Sequence, residues 1–201
     1  EALEMTGAVY RSLSGTLSRH GFEGVLVGDE GGFGPKLPGN ERAIELCLEA
    51  ITRAGIGRSF QITSVFPEFT ALQNVALAVQ AHAGHSFRFW RPAASEAGLI
   101  EPARAALAQT GLAAREHTPV SQMAHGERRQ LEIAMTLATA PKLLLLDEPM
   151  AGMSHAESEG VVALLRSIKG RYTILLVEHD MDAVFALADR VSVLVYGRSI
   201  A

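Results

Sequence analysis

The sequence predicts an α/β fold in which helices cover a parallel sheet, and three observations carry this prediction. Residues 143–146 are four consecutive leucines, and residues 172–177 form a second apolar run. Apolar runs without polar alternation are typical of parallel strands that are buried on both faces. A helical pattern follows each run, at residues 157–169 and 181–188, and strands that alternate with helices indicate βαβ units.

Composition and charge are those of a soluble globular protein. The chain has 201 residues and a net charge of −4, and a length of this order suits about one sizeable domain or one and a half small ones. Without a basic excess, the charge gives no support for a nucleic-acid partner. The single cysteine excludes a disulfide framework, which fits a reducing cytoplasm. No apolar run reaches the ~18–20 residues of a membrane span, so we expect any membrane role to depend on a partner.

The first 55 residues predict a helix–strand–helix unit around a glycine-rich segment. Residues 1–20 and 41–53 have helical apolar spacing, and residues 22–27, Phe-Glu-Gly-Val-Leu-Val, predict a short strand. That strand leads into residues 28–35, Gly-Asp-Glu-Gly-Gly-Phe-Gly-Pro, whose glycines permit backbone conformations that other residues resist. Two acids in such a loop suggest a site, although from composition alone an ordinary glycine-rich turn is favoured.

This segment resembles part of enolase. Residues 28–35 are similar to that family's GDEGGFAP loop, with a departure at Gly34. By this resemblance Glu30 matches the acid that protonates the departing hydroxyl of 2-phosphoglycerate. The likeness covers about a quarter of the chain, whereas a (β/α)₈ barrel needs about 200–250 residues. The Mg²⁺ carboxylates and the catalytic lysine of such a site would lie in strands that the chain does not reach.

Two further stretches carry candidate chemistry. Asp147 and Glu148 end the leucine run, and ligands bind at the carboxyl ends of strands in open α/β sheets. An apolar run followed by Asp-Glu has the Walker B pattern, in which one acid holds Mg²⁺ and the next orients the attacking water. Residues 123–127, Met-Ala-His-Gly-Glu, lead into a helix whose N-terminal N–H groups suit phosphate. The alternatives are a solvated acidic turn and a polar entry loop.

Residues from about 56 to 201 resemble the ATP-binding subunit of an ABC transporter, most like the branched-chain amino acid uptake group. The resemblance rests on five motifs in the family's order: Gln61 as the Q-loop glutamine, residues 123–127 as the LSGGQ signature, Asp147 and Glu148 as the Walker B acids, residues 151–154 as the D-loop, and His179 as the switch histidine. It implies a partial P-loop NTPase (ABC ATPase) fold with a parallel sheet and a helical subdomain, and ATP with Mg²⁺ as cofactors.

The resemblance also implies roles for single residues. Gln61 would contact Mg²⁺ and water and couple to the membrane subunit. Asp147 would be the Mg²⁺-associated acid, Glu148 the catalytic glutamate, and His179 the contact to the γ-phosphate.

The signature segment departs from the family pattern at four of its five positions and keeps Gly126. Its implied cofactor-binding residues are Ala124, His125, Gly126 and Glu127. Ala124 lacks the hydroxyl that serine offers to the γ-phosphate, which leaves backbone N–H groups and the helix dipole to make that contact.

A P-loop is the family element that the sequence lacks. The pattern G-x-x-x-x-G-K-[ST] should precede Gln61 by roughly forty residues, and the enolase-like segment occupies that place. The nearest approach is at residues 31–37, where Pro35 replaces the glycine before Lys36 and Leu37 replaces Ser or Thr. Proline removes an N–H donor, and leucine cannot bind Mg²⁺.

We therefore predict a chimeric chain, with an enolase-like fragment at 1–55 and an ABC ATPase-like domain lacking its Walker A half at 56–201. The predicted function is ATP hydrolysis that drives branched-chain amino acid import, which this chain alone does not perform. Two alternatives are an enolase-type lyase (phosphopyruvate hydratase) and a non-catalytic module whose helical region, residues 70–111, docks on a membrane subunit. The implied partners are transporter membrane subunits and a second ATPase subunit in a dimer, at the cytoplasmic face of the membrane, and not nucleic acid.

Overall fold

The structure is a computed structural model, and it describes residues 2–23, 32–58, 65–83, 96–195 and 198–199. The predictions for Glu30 and Gln61 lie outside these residues, as do residues 24–27 of the predicted strand and residues 28–31 of the glycine-rich loop. The chain divides into two compact units, Glu1–Gly57 and Arg58–Ala201.

The first unit contains two helices, α1 (Ala2–Arg19) and α2 (Asn40–Arg53), which pack against each other. Leu17, Leu46 and Ala50 are buried. Gly21 ends α1 in the left-handed region at φ 77°, and the following N–H, that of Phe22, donates to the carbonyl of Leu17 at 2.9 Å. This six-residue closure is a Schellman motif, for which glycine is suited because it has no Cβ.

The second unit has a helical part formed by three helices: α3 (Ala71–Ala83), α4 (Ala97–Gln109) and α5 (His125–Leu137). Thr70 and Gln73 cap α3 reciprocally, because the Thr70 hydroxyl accepts from Gln73 N at 3.2 Å and the Gln73 carbonyl oxygen accepts from Thr70 N at 2.8 Å. The buried side chains that join these helices include Val75, Leu99, Leu107 and Leu131.

The sheet of the second unit brings two parallel strands together, β2 (Leu143–Asp147) and β3 (Thr173–Val177). They pair in register from Leu143 opposite Thr173 to Asp147 opposite Val177. The strand β1 (Ile56–Arg58) lies at the boundary between the units. The helices α6 (His155–Ile168) and α7 (Met181–Leu187) follow β2 and β3 respectively, and a short antiparallel pair, β4 (Leu194–Val195) and β5 (Arg198–Ser199), comes last.

Only one face of the β2–β3 pair is fully covered. Leu144 and Leu146 are buried against the α6 and α7 side chains, whereas Leu175 and Val177 on the opposite face are 57% and 56% exposed. The prediction of strands buried on both faces is therefore wrong for the second face. The apolar runs match a sheet that is covered on both faces, whereas the described residues form a full covering layer on one face only.

Residues 190–195 have apolar side chains at alternate positions, which is typical of a strand, but only the last two, Leu194 and Val195, form one. Val191 and Val193 lie outside any strand and are exposed. Within the described ranges they pair with no other strand, and an apolar alternation forms a strand only where a neighbouring edge accepts its hydrogen bonds. None of the helices in the described part of the chain is long and apolar enough to cross a membrane.

The unequal faces of the sheet give a direct test. Leu146→Ala removes atoms from a site that is 1% exposed and should lower the free energy of unfolding by about 2–5 kcal/mol, because it leaves a cavity. Leu175→Ala removes the same atoms from the exposed face and should cost less than about 1 kcal/mol. Urea unfolding followed by circular dichroism measures both, and equal losses would show that the outer face is covered in solution.

Candidate functional site

The carboxyl edge of the sheet gathers the predicted Walker B acids and the predicted switch histidine. Asp147 is the last residue of β2 and lies opposite Val177, the last residue of β3. Glu148 N donates to Val177 O at 2.9 Å, and Glu148 has φ 44°, in the left-handed region. This conformation is uncommon for a residue with a side chain, and it turns the chain out of the sheet directly after the first acid.

Glu178 ties the loops after the two strands together. Its side chain is 1% exposed, and its carboxylate accepts hydrogen bonds from Met150 N at 3.0 Å and from His179 N at 3.0 Å. A third N–H, that of Asp180, lies at 3.4 Å. Backbone donors of this kind satisfy a carboxylate that is withdrawn from water. Glu178 therefore positions the loop that carries the histidine.

The structure brings Glu148 and His179 together. His179 Nδ1 lies 3.7 Å from Glu148 Oε1, and the His179 side chain is 76% exposed. Asp180 fixes the start of α7 just beyond it, since its carboxylate accepts from Asp182 N at 3.0 Å and from Ala183 N at 3.2 Å. In this arrangement the Glu148 carboxylate can orient a water molecule, and the imidazole of His179 beside it can donate a hydrogen bond to an anionic group.

A buried arginine on α5 forms hydrogen bonds with the backbone of the turn after β2, at residues 147–149. Arg129 Nη2 donates to the carbonyls of Asp147 at 3.0 Å and Glu148 at 3.3 Å, and its Nε donates to that of Pro149 at 3.2 Å. Its Nη1 lies 2.6 Å from the carboxylate of Glu132, one turn along the helix. The sequence analysis missed this residue. A signal was present, because Glu132 lies between the buried Leu131 and Ile133 in the helical pattern, and Arg129 lies three residues before Glu132.

The N-terminus of α5, the predicted signature segment, is already occupied by carboxylates. Glu127 accepts from Ala124 N at 2.9 Å, and Glu157 accepts from Gly126 N at 3.1 Å. Arg115 Nε lies 2.9 Å from Glu127 Oε1. Acids at a helix N-terminus offset the positive end of its dipole. Phosphate binding at residues 124–127 would have to compete with these carboxylates, and it stays a prediction.

The signature segment lies against the predicted D-loop. A Cβ added to Gly126 would stand 3.1 Å from Glu157 Cγ, so the glycine allows a close approach that a larger residue would disturb. His125 Nε2 is 3.9 Å from the place of a Cβ on Gly152. The N-terminus of α6 is held there by Ser154, whose hydroxyl donates to Glu157 Oε2 at 2.7 Å.

The residues at the sheet edge suit the metal-binding part of a Mg²⁺–nucleotide site, but the loop that would hold the phosphates is not among them. Carboxylate oxygens such as those of Asp147 and Glu148 are the ligands that Mg²⁺ prefers, and His179 stands beside them. No cluster of three or more metal-ligating side chains occurs among the described residues. The 201-residue sequence contains no G-x-x-x-x-G-K-[ST] run, so the loop that holds the nucleotide phosphates in P-loop enzymes is missing.

The α/β fold with its parallel sheet is of the P-loop NTPase class, and comparison with protein-family models gives the family. The model described as "ABC transporter" matches residues 40–151, which is more than half of the chain. This chain therefore belongs to the ABC transporter ATP-binding family. A second model, "Enolase, C-terminal TIM barrel domain", matches residues 1–68, so that the two matches overlap at residues 40–68.

Similar proteins include branched-chain amino acid transport ATP-binding proteins. BraF of Pseudomonas aeruginosa is 34% identical over 158 residues, which cover 75% of this chain and 62% of BraF. LivG of Salmonella typhimurium is 33% identical over 171 residues, which cover 80% of this chain and 66% of LivG. The chain thus spans less than two thirds of the length of these curated relatives.

Solved structures of ABC ATPases share the fold. MJ1267, an ATP-binding cassette of an ABC transporter, superposes with a TM-score of 0.64 at 26% identity and covers 75% of this chain and 61% of MJ1267. CbiO1 from Clostridium perfringens, part of the ABC transporter complex cbiONQ, gives a TM-score of 0.62 at 25% identity and covers 78% of this chain and 59% of cbiO1.

Arg129 should be among the most costly residues to replace. Arg129→Met removes the cation that faces Glu132 in the interior, and the free energy of unfolding should fall by about 3–5 kcal/mol. Replacing both residues with methionine should recover at least half of this loss, because no carboxylate then stays buried without its arginine. Urea denaturation of the three proteins measures the difference, and an undiminished loss in the double variant would contradict this explanation.

The cap of α6 should make stability depend on pH. Hydrogen bonds from the Ser154 side chain and backbone, with one from Gly126 N, lower the pKa of Glu157 from its ordinary value of 4.5. The stabilisation is complete above that value and is lost as pH falls through the lowered pKa. Glu157→Gln should therefore lower the thermal midpoint at neutral pH, and the deficit should shrink below about pH 4.5. Glu159→Gln, at an exposed position of the same helix, is the control, and a deficit that is constant with pH would contradict the assignment.

Proposed function

We propose that this chain is part of an ATP-binding subunit of the branched-chain amino acid importer type, and that it does not hydrolyse ATP by itself. The observation that carries the proposal is the carboxyl edge of the sheet. There Glu148 and His179 lie together beside Asp147, while the sequence has no P-loop. The chain would keep groups that act on a bound phosphate and lack the groups that hold one.

The proposed roles at the edge follow from the contacts. Asp147 would supply carboxylate oxygen to Mg²⁺, and Mg²⁺ bound to ATP would neutralise the phosphate charge that develops during transfer. Glu148 would orient the attacking water, and His179, 3.7 Å away, would contact the terminal phosphate. Arg129 and Glu178 would hold these groups in place through backbone hydrogen bonds. Gln61, as the proposed Q-loop residue, would complete the metal side.

The partners follow from the family. We propose that the chain acts with transporter membrane subunits and a second ATPase subunit at the cytoplasmic face of the membrane. Residues 124–127 would face the phosphates held by that second subunit, once Glu127 and Glu157 release the N–H groups that they occupy here.

A non-catalytic docking module is the second candidate, and one observation favours it. Phe66 and Phe69 stand before α3 with their ring centroids 5.5 Å apart, and both rings are exposed. Exposed paired aromatics are suited to a protein contact. An enolase-type activity would depend on Glu30 and is suggested by the family match at residues 1–68. Within that match, the described residues of the first unit form mainly the helices α1 and α2.

Calorimetric titration of the purified chain with ATP and Mg²⁺ tests the proposal. We expect no binding and no ATPase activity, in a chain whose cooperative unfolding is confirmed in parallel. Micromolar binding, with hydrolysis that Glu148→Gln abolishes, would show that another phosphate cradle exists and would contradict the claim of inactivity. Formation of phosphoenolpyruvate from 2-phosphoglycerate would favour the enolase alternative instead.

A further inference from the structure

We infer that the first unit contains a proton-operated switch, in which protonation of His20 releases the Arg42 side chain from the end of α1. A row of side chains joins α1 and α2, in the order Glu45, Arg42, His20, Glu49 and Arg53. His20 follows α1, and the other four side chains belong to α2. The inference concerns the first unit alone and is independent of the function proposed above.

The hydrogen bonds of the His20 ring define where its proton lies. Arg42 Nη2 is 3.0 Å from His20 Nδ1, and because a guanidinium has donors only, Nδ1 accepts. The other ring nitrogen, Nε2, is 2.8 Å from Glu49 Oε2, and an ionised carboxylate has acceptors only, so Nε2 donates. His20 is therefore neutral in this structure, with its proton on Nε2, and it bridges a cation and an anion.

A second proton on the ring breaks this arrangement at one end only. The proton occupies Nδ1, so that an N–H of a charged imidazole faces the N–H groups of Arg42 and no acceptor is left between them. The bond from Nε2 to Glu49 becomes stronger, because a hydrogen bond between two ionised groups is stronger than one with a neutral donor. His20 therefore stays with Glu49, and Arg42 leaves.

The charges around the ring favour the departure of Arg42. Arg42 lies in the first turn of α2 (Asn40–Arg53), where the positive end of the helix dipole disfavours a cation. Arg19 Nη2 lies 3.5 Å from Glu49 Oε1 and adds positive charge near the imidazole. Arg42 keeps another partner, because its Nη1 is 2.7 Å from Glu45 Oε2, on a side chain that is 63% exposed. The released arginine can thus turn toward solvent with Glu45.

Glu49 keeps its charge over the pH range in which histidine ordinarily titrates, about pH 5 to 8. Burial raises the pKa of Glu49, but hydrogen bonds from His20 and Arg53, with the charges of both residues, lower it below its ordinary value of 4.5. The contribution of Glu49 to stability is therefore complete above that value and constant between pH 5 and 8. Arg53 Nε donates to Glu49 Oε1 at 2.9 Å, whereas His20 contacts Oε2, so a change in this range comes from His20.

Hydrogen–deuterium exchange of the α2 amides in the full 201-residue chain tests the inference at pH 8 and pH 5. The measured quantity is the protection in the unchanged chain divided by that in Arg42→Met, after correction for intrinsic exchange rates. We expect a ratio of about threefold or more at pH 8, as suits one hydrogen bond. At pH 5 it should fall to about one, because the remaining exposed ion pair with Glu45 contributes little. Arg53→Met is the matched control, since it removes a contact to Glu49 and none to His20, and its ratio should not fall.

His20→Gln separates the proton from the hydrogen bonds. A glutamine amide has an acceptor for Arg42 and a donor for Glu49 but takes up no proton, so in this background the effect of Arg42→Met should be the same at both pH values. A ratio of about one at pH 8 overturns the inference, as does a ratio that does not fall at pH 5. An equal fall for Arg53→Met, or a fall that persists in His20→Gln, also overturns it. If His20→Gln does not fold, the comparison of Arg42→Met with Arg53→Met still decides.

Discussion

The buried guanidinium of Arg129 is the contact on which the geometry of the site depends. It joins the helix that begins at the signature segment to the turn that carries Asp147 and Glu148, through three backbone carbonyls. Withdrawing a cation from water is expensive unless it is paired and hydrogen-bonded, and here Glu132 and the carbonyls meet that requirement. The left-handed backbone at Glu148 is held within this network. A displacement of α5 would therefore move the predicted catalytic edge with it.

The second constraint is a sheet that is covered fully on one side. Side chains of α6 and α7 bury Leu144 and Leu146, while Leu175 and Val177 face solvent. The covering layer is formed by the helices that follow β2 and β3 in the chain.

The first unit raises a separate question about how the chain is assembled. Its helices α1 and α2 pack as a pair, and the compact units separate after Gly57. The ABC transporter match begins at residue 40, which is the first residue of α2, and the enolase match extends to residue 68. The two family models therefore both match residues 40–68. The boundary at residues 55 and 56, drawn from sequence patterns, stays a prediction, as does a chimeric origin.

The sequence by itself determined the order of the elements and the place of the acids. Apolar runs predicted β2 and β3, and the position of Asp147 at a strand end follows from local pattern. Only the tertiary structure decided the roles of Arg129 and Glu178 and the carboxylates at the start of α5. The contacts of Arg129 with Asp147, of Glu178 with Met150 and of Glu157 with Gly126 join residues 18 to 31 positions apart. Local periodicity contains no information about which surfaces meet. For the same reason the sequence could not show that one face of β3 stays open.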